Sequence, residues 1–170
     1  TNHAFPLDMI KLGSEQPFRL PWILHELGEW KINSFLTQLE RNRDFSRAKI
    51  FGLRVSWLPA AWLEIGLTRL TQFNGRGRDQ SFPGIVFDAY ANEANQAGER
   101  DVNEQAMVDF RVRVPRVPYL IPFPAGIQFY GELGTEDKWS ELPIPSGARV
   151  LGGIYIPQFF AGDTLDLRIE

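Results

Sequence analysis

The sequence predicts an all-β protein: an antiparallel up-and-down transmembrane β-barrel of which this chain supplies only part of the strands. Three observations predict this fold. Most candidate strands are 9 to 12 residues long, near the roughly 9–11 residues of a tilted membrane-spanning strand and above the roughly 5–6 of globular strands. Short or proline-rich connections alternate along the chain with long polar ones, as in outer-membrane barrels. Aromatic residues gather near the short connections, as they do at a bilayer interface.

Size and composition set the outer limits. With 170 residues the chain is expected to form one domain, residues 1–170, with no second domain. Its net charge of -3, from 18 basic and 21 acidic residues, offers no basic surface for nucleic acid. The absence of cysteine excludes disulfides, thiol nucleophiles and cysteine-ligated metals. No apolar run approaches the roughly 20 residues of a transmembrane helix.

The N-terminus, TNHAFPLDM, has no basic region, no apolar stretch and no initiator methionine. We therefore expect the chain to be an internal piece of a longer protein. The last candidate strand ends at Glu170 without a terminal aromatic residue. Because lipid does not tolerate an unpaired strand edge, further strands are expected in the full protein.

The candidate strands alternate between apolar and polar residues. In 104–114, for example, Ala106, Val108 and Phe110 share one face, and Asp109 and Arg111 share the other. The stretch GSEQPFRLPWILHELGEW, residues 13–30, is predicted to be an irregular connection. The candidate strands are 5–12, 29–40, 48–58, 62–73, 104–114, 125–134, 148–156 and 163–170.

The hairpin KIFGLRVSWLPAAWLEIGLTRLTQF, residues 49–73, shows the pattern most clearly. Its apolar residues share one face on both sides of a short turn that we place at Pro59. The predicted register pairs Val55 with Ile65 and Leu53 with Leu67. On the other face it sets Ser56 against Glu64, diagonal to Arg54.

The connections differ in character at the two ends of the predicted sheet. The polar ones are 41–47, the stretch from Asn74 to Asn103, and 135–147, and they fall at one end, the loop end. The short or apolar ones are 58–62, 115–124 and 157–162, and they fall at the other, the turn end. The aromatic residues near the turn end are Trp30, Trp57, Trp62, Tyr119, Phe123, Tyr155, Phe159 and Phe160.

One predicted sheet face is charged, which favours a water-filled lumen with cross-strand ion pairs. A soluble β-sandwich lectin, with its apolar face in a core, remains an alternative. The charged residues are Arg54, Glu64, Asp109, Arg111, Arg113, Glu132, Asp166 and Arg168.

The chemical motifs are sparse. His3 and His25 are far apart in sequence, and neither has further potential ligands at the spacing of a helix or a hairpin, so they do not suggest a metal site. NGRGRDQSF, residues 74–82, lacks the GK[ST] and following helix of a phosphate loop. Its Arg76 and Arg78 are read either as solvated loop residues or as a fork for a carboxylate-bearing glycan.

Two further features leave alternatives open. Trp139, in a long polar loop, could stack on a sugar ring or pack its loop onto the sheet. Asp109 and Glu132 could serve a glycoside hydrolase as a carboxylate pair, but Arg111 and Arg113 beside Asp109 favour a ladder of ion pairs. We predict no catalytic residues, no metal and no cofactor.

An ordered set of segments resembles the bacterial capsule assembly protein Wzi family. The resemblance covers most of residues 28–170, and its most specific part is KxFGxR with LEIGxxRxxQF, followed by G-R and Q-S-F. The segments are FLTQLE (35–40), the hairpin 49–73, GRGRDQSF (75–82), NEQAMVDFRVRVP (103–115), IQFYGELGTED (127–137) and LDLRIE (165–170).

This resemblance implies an outer-membrane β-barrel that acts as a surface lectin and holds capsular polysaccharide at the cell surface. It implies a barrel larger than this chain, with helical elements that plug it. The family pattern commonly continues G-R-P, and here Asp79 stands in place of the proline, so a more flexible loop is expected.

We therefore predict a non-enzymatic protein of the bacterial outer membrane, with lipid and an acidic capsular or extracellular polysaccharide as its partners. The alternatives are a passive porin with a charged lumen and a polysaccharide-modifying enzyme. The candidate polysaccharide-binding residues are Gln72, Asn74, Arg76, Arg78 and Trp139.

Overall fold

The computed structural model describes residues 8–41, 46–75, 103–116, 125–136, 148–159 and 165–170. A 3-10 helix spans Trp22–Leu27. Within the described ranges no helix is long and apolar enough to cross a membrane. The strands are β1 (Met9–Gly13), β2 (Phe18–Arg19), β3 (Glu29–Gln38), β4 (Lys49–Ala60), β5 (Leu63–Phe73), β6 (Asn103–Val114), β7 (Ile127–Glu136), β8 (Arg149–Ile156) and β9 (Leu167–Ile169).

All nine strands belong to one sheet, and every strand pair among the described residues is antiparallel. The sheet order is β1-β3-β4-β5-β6-β7-β8-β9, and the short β2 also pairs with β3. From β3 onward each strand therefore lies beside its sequence neighbour. The predicted antiparallel up-and-down arrangement is confirmed, and among the described residues the sheet is open, with β1 and β9 at its edges.

The N-terminal segment holds more structure than its sequence suggests. Within the predicted irregular connection, Phe18 and Arg19 pair with Trp30 and Glu29, and the 3-10 helix leads into β3. Two residues are too few to show a period of two, and six are too few for a helical stripe, so the sequence pattern missed both. Of the predicted end strands, residues 5–7 and 163–164 lie outside the described ranges.

The predicted register of the β4–β5 hairpin is wrong by two residues. Val55 pairs with Leu67 and Ser56 with Gly66, so Ser56 does not face Glu64. Likewise Leu53 pairs with Arg69 rather than with Leu67. Because the shift is even, every side chain keeps its predicted face.

The turn explains the shift. β4 continues through Pro59 to Ala60, which pairs with Leu63, so the turn lies at Ala61 and Trp62 and not at Pro59. The register changes between Trp57 and Ala60, where β4 has one more residue than β5. A bulge accommodates proline because it leaves one residue outside the ladder, and proline has no N–H to donate.

The register divides the sheet into two faces. We call the first the polar face: it includes Arg54, Glu64, Thr68, Asp109, Arg111, Arg113, Gln128, Tyr130, Glu132, Arg149, Tyr155 and Arg168. We call the second the apolar face: it includes Ile32, Leu53, Val55, Ile65, Leu67, Val108, Phe110, Val112, Phe129, Leu133, Val150 and Ile154.

No second layer of described residues packs on the apolar face. Leu67, Phe110 and Phe129 are 55%, 46% and 40% exposed, whereas a soluble domain of this size would bury such side chains in a core. The buried apolar side chains among the described residues are Leu39, Ala48, Phe73 and Ile156. The small cluster around Phe73, with Leu36 and Phe51 against it, lies at the loop end.

Candidate functional site

The predicted polysaccharide-binding residues divide into two groups. Gln72 and Asn74 lie together at the loop end of β5, whereas Arg76, Arg78 and Trp139 lie outside the described residues. Gln72 is half-buried and pairs with Ile50 and Asn103, which sets it in line with the polar face.

Asn74 is buried, with 2% of its surface exposed, and its backbone has a φ of 60°. Asparagine tolerates this left-handed conformation better than most residues. Its Oδ1 accepts a hydrogen bond from the Gly75 N–H at 2.6 Å. Asn74 thus fixes the direction in which the chain leaves β5, and it offers almost no surface of its own to a ligand.

The centre of the polar face is an arginine–carboxylate clamp. The two guanidinium nitrogens Nη1 and Nη2 of Arg54 donate to Oδ2 and Oδ1 of Asp109 at 2.6 and 2.9 Å. Nη1 also donates to the Thr68 hydroxyl at 2.9 Å. The bidentate geometry engages both oxygens of Asp109, so the clamp joins β4, β5 and β6 across the face.

Towards the turn end, Glu64 accepts two arginines. Its Oε2 lies 3.2 Å from Arg113 Nη2 and 3.6 Å from Arg111 Nη1. With the clamp, these contacts form a ladder of cross-strand ion pairs between β4, β5 and β6, as predicted, but with other partners. Asp109 pairs with Arg54 rather than with the neighbouring Arg111 and Arg113. Glu132 makes no ion pair among the described residues.

A cluster of tyrosine contacts continues the polar face towards β9. Arg168 Nε donates to the Tyr130 hydroxyl at 2.9 Å, and that hydroxyl donates to Glu170 at 2.8 Å. The Arg168 guanidinium also lies 5.2 Å from the centre of the Tyr130 ring.

Asp166, just before β9, is held by two donors. The Tyr155 hydroxyl donates to its Oδ2 at 2.6 Å and the Gln158 N–H to its Oδ1 at 3.1 Å. These two bonds, the hydroxyl first, lower the pKa of Asp166 from its usual value because they favour the charged carboxylate. The contacts tie Gln158, just after β8, and Asp166, just before β9, to each other and to Tyr155.

Two adjoining clefts lie in the polar face. The loop-end cleft, about 400 Å³, lies between β5 and β8 and is lined by Leu70, Met107, Glu132, Arg149 and Leu151. The turn-end cleft, about 570 Å³, is lined by Tyr130, Tyr155 and Arg168 and again by Glu132 and Leu151. Both volumes fall within the roughly 300–1,000 Å³ of small-molecule sites.

Sequence reasoning did not select Arg149 as a site residue. The sequence did carry one clue to its position. Arg149 and Tyr155 are separated by an even number of residues in β8, so their side chains lie on the same face of the sheet. The apolar residues of the cleft could not be assigned to it from sequence. Leu70, Met107 and Leu151 lie on the polar face, where the alternating pattern predicts polar residues.

The geometry gives little support to catalysis. Asp109 and Glu132 are directly paired on β6 and β7, but both oxygens of Asp109 are engaged by Arg54. His25 Nδ1 lies 3.1 Å from the Trp22 carbonyl oxygen, and its Nε2 lies 3.1 Å from Glu26. Within the described ranges no group of three or more His, Asp and Glu residues is placed to hold a metal ion.

The apolar face has a different feature near each end. Near the turn end the rings of Trp30 and Trp57 stack, with centroids 5.7 Å apart and an interplanar angle of 17°. Near the loop end Arg69 forms an ion pair with Glu104. Between the tryptophan pair and the Arg69–Glu104 ion pair lie exposed apolar side chains such as Leu67, which is paired with Val55.

Comparisons with known proteins agree with this architecture. A family model described as capsule assembly protein Wzi matches residues 1–170. A solved structure, described as Wzi, an outer-membrane protein involved in group 1 capsule assembly in Escherichia coli and a carbohydrate-binding β-barrel, is similar over 88% of this chain and 30% of its own. The TM-score is 0.65 and the identity 26%.

A curated relative from Klebsiella pneumoniae, described as an uncharacterized 55.8 kDa protein in the cps region, is 30% identical over 158 residues. These residues are 92% of this chain and 30% of the relative, so the chain spans about a third of the length of the proteins it matches. Because the family model covers the chain from end to end, the chain belongs to the Wzi family of capsule assembly proteins.

Proposed function

We propose that this chain is part of an outer-membrane β-barrel that binds capsular or related extracellular polysaccharide without modifying it and helps to assemble or retain it at the cell surface. The observation that carries the proposal is the similarity to a solved carbohydrate-binding barrel over 88% of the chain. The single domain, residues 1–170, is read as one part of that barrel's wall.

The apolar face supports a lipid partner. Its large side chains are exposed although they lie at the middle of long strands, and a contiguous exposed apolar surface favours lipid or another protein as its cover. The stacked tryptophans at the turn end suit the interface between hydrocarbon and headgroups. The polar face then turns towards the lumen.

The polysaccharide is proposed to meet the protein at the loop end. Arg76 and Arg78 would bind sugar carboxylates, Gln72 would bind hydroxyls, and Trp139 would stack on a ring. Asn74, being buried, would act by directing the chain into the Arg-bearing loop. Each contact is weak, but a repeating polymer presents many copies of its ligand groups, and this raises the avidity.

The test is the double variant Arg76→Ala with Arg78→Ala in the full-length protein, expressed in the capsulated bacterium that encodes it. We expect capsular polysaccharide to shift from the cell-associated fraction to the medium. Arg116→Ala, an exposed arginine at the turn end, is the matched control and should retain capsule. Unchanged retention in the double variant, at equal surface levels of protein, would show that these arginines do not bind the polymer.

A passive porin is the second candidate, favoured by the charged polar face. The two functions differ in planar bilayers, where a porin gives stepwise ion conductance and a plugged lectin conducts little. A polysaccharide-modifying enzyme is disfavoured because Asp109, one of its two required carboxylates, is clamped by Arg54.

A further inference from the structure

The loop-end cleft of the polar face combines an apolar floor with two charges at its sides. Leu70, Met107 and Leu151 supply the floor, although they lie on a face that is otherwise polar. Glu132 and Arg149 line the same cleft. Apolar surface beside a few convergent polar groups is the usual composition of a small-molecule site.

These two charges lie outside the ladder of ion pairs on the polar face. Asp109 is engaged by Arg54, and Glu64 by Arg111 and Arg113. Within the part of the chain that the structure describes, neither Glu132 nor Arg149 forms an ion pair. Glu132 lies close enough to Arg54 for a Coulombic attraction but makes no ion-pair contact with it. Glu132 and Arg149 thus remain outside the ion pairs of the described residues and line the same cleft.

The register places Glu132 and Arg149 beside each other on neighbouring strands without pairing them directly. Glu132 pairs with Leu151, and Arg149 pairs with Gly134, so the two charged residues are diagonal neighbours on β7 and β8. Diagonal neighbours on a sheet are about 7–8 Å apart. Long side chains can meet across such a diagonal, as those of Glu64 and Arg113 do at 3.2 Å. Among the described residues Glu132 and Arg149 form no such ion pair, so a ligand group can bridge them.

A sugar ring fits this set of groups. Its hydroxyls donate to a carboxylate, its C–H face packs on apolar side chains, and a ring carboxylate binds a guanidinium through two parallel hydrogen bonds. The turn-end cleft shares Glu132 and Leu151 and adds Tyr130 and Tyr155, so the groove can continue to a neighbouring sugar.

We propose that the loop-end cleft is a subsite for one residue of an acidic saccharide, with Arg149 binding the sugar carboxylate and Glu132 its hydroxyls. This inference rests on the proposed polysaccharide function and places a binding site on the lumenal face, apart from the candidate residues in the loops.

The test uses the full-length protein in detergent and two matched probes. One is an oligosaccharide prepared by depolymerising the capsule of the bacterium that encodes the protein. The other is the same oligosaccharide after chemical reduction of its carboxyl groups to alcohols. Binding of each is measured by isothermal titration calorimetry for the parent and for Arg149→Gln, Arg149→Lys, Glu132→Gln and Lys31→Gln.

Arg149→Gln should raise the Kd for the acidic probe about 10- to 100-fold, since a charge-assisted bidentate contact is lost. The Kd for the reduced probe should change less than about twofold, and Arg149→Lys should recover only part of the loss. Glu132→Gln should weaken both probes. Lys31→Gln, which removes a polar-face cation far from the cleft, should weaken neither beyond the general effect of charge.

The outcomes separate this inference from the proposed function. If the parent binds the acidic probe but Arg149→Gln binds it as well as Lys31→Gln does, the subsite is wrong and the polysaccharide function stands. An equal loss for both probes also overturns the role of Arg149 with carboxylate. If the parent binds neither probe, both the subsite and the polysaccharide function fail. A heat-modifiable band on gels, run for each variant, shows that the barrel has folded.

Discussion

At the residue scale, the arginine clamp of the polar face depends on a position without a side chain. Gly66 of β5 pairs with Asp109 and with Ser56, and lies beneath the Arg54–Asp109 contact. A Cβ at this glycine would overlap Asp109 Oδ2 and would lie 2.5 Å from Arg54 Nη2. The glycine is therefore part of the ion pair, because it gives the two side chains space to meet.

We predict that Gly66→Ala lowers the free energy of unfolding of the full-length protein by about 1–3 kcal/mol, since the clamp must open to admit the methyl group. Urea unfolding in lipid vesicles, followed by tryptophan fluorescence, measures the change. Gly152→Ala on β8 is the matched control, because its Cβ would meet only the Tyr130 carbonyl oxygen at 3.8 Å. Equal unfolding midpoints for the two variants would contradict the role of Gly66.

At the element scale, the 3-10 helix is fastened to the sheet by tryptophan. Trp57 of β4 donates its Nε1–H to the Leu27 carbonyl oxygen at 2.5 Å, while its ring stacks on Trp30. Gly28 joins helix to strand with a φ of 92°, and a Cβ there would overlap the Leu58 carbonyl oxygen. The helix itself buries no residue, so these contacts position it.

We predict that Trp57→Phe releases the helix and leaves the sheet intact. Phenylalanine keeps an aromatic ring against Trp30 but loses the N–H donor, at a cost of about 1 kcal/mol. Hydrogen–deuterium exchange at the Gly28 amide, which donates to His25, should become several-fold faster. Trp62→Phe, in the exposed turn, should leave this exchange unchanged. Unaltered protection in Trp57→Phe would mean that the helix is held by other contacts.

At the scale of the whole molecule, the described sheet has two open edges. β1 and β9 each have one strand partner among the described residues, and the apolar face carries no covering layer of its own. In hydrocarbon every backbone N–H and C=O must be paired within the protein, so an open sheet cannot span a bilayer. If this sheet lines a barrel in a bilayer, as proposed, its edges at β1 and β9 must pair with further strands.

We predict that residues 1–170 expressed alone do not form a stable membrane protein. Refolded into detergent or lipid vesicles, this segment should lack the heat-modifiable, protease-resistant band that we expect of the full-length protein. The full-length protein refolded in parallel is the control for the procedure. A monomeric, heat-modifiable band from the segment would contradict the argument from open edges, and a discrete oligomer would mean that copies of the segment close a barrel together.

The sequence alone determined the fold class, the two faces and the division into a loop end and a turn end. Each depends on a local pattern, since residues two apart in a strand share a face wherever that strand pairs. The charged ladder was predictable for the same reason, as Arg54, Asp109 and Glu64 have the parity of the polar face. The segments shared with the Wzi family were legible in the sequence as well.

The tertiary structure decided which residues lie opposite one another on neighbouring strands, and therefore which side chains make contact. The turn at Ala61 and Trp62, together with the one-residue bulge before Ala60, set the hairpin two residues away from the predicted register. Gly66 rather than Glu64 therefore lies opposite Ser56, and Arg54 reaches Asp109 across it. The pairing of β7 with β8 set Glu132 diagonal to Arg149 across an apolar floor. Alternation fixes the face of a side chain but not its cross-strand neighbour, because register depends on turns and bulges that the period of two does not record.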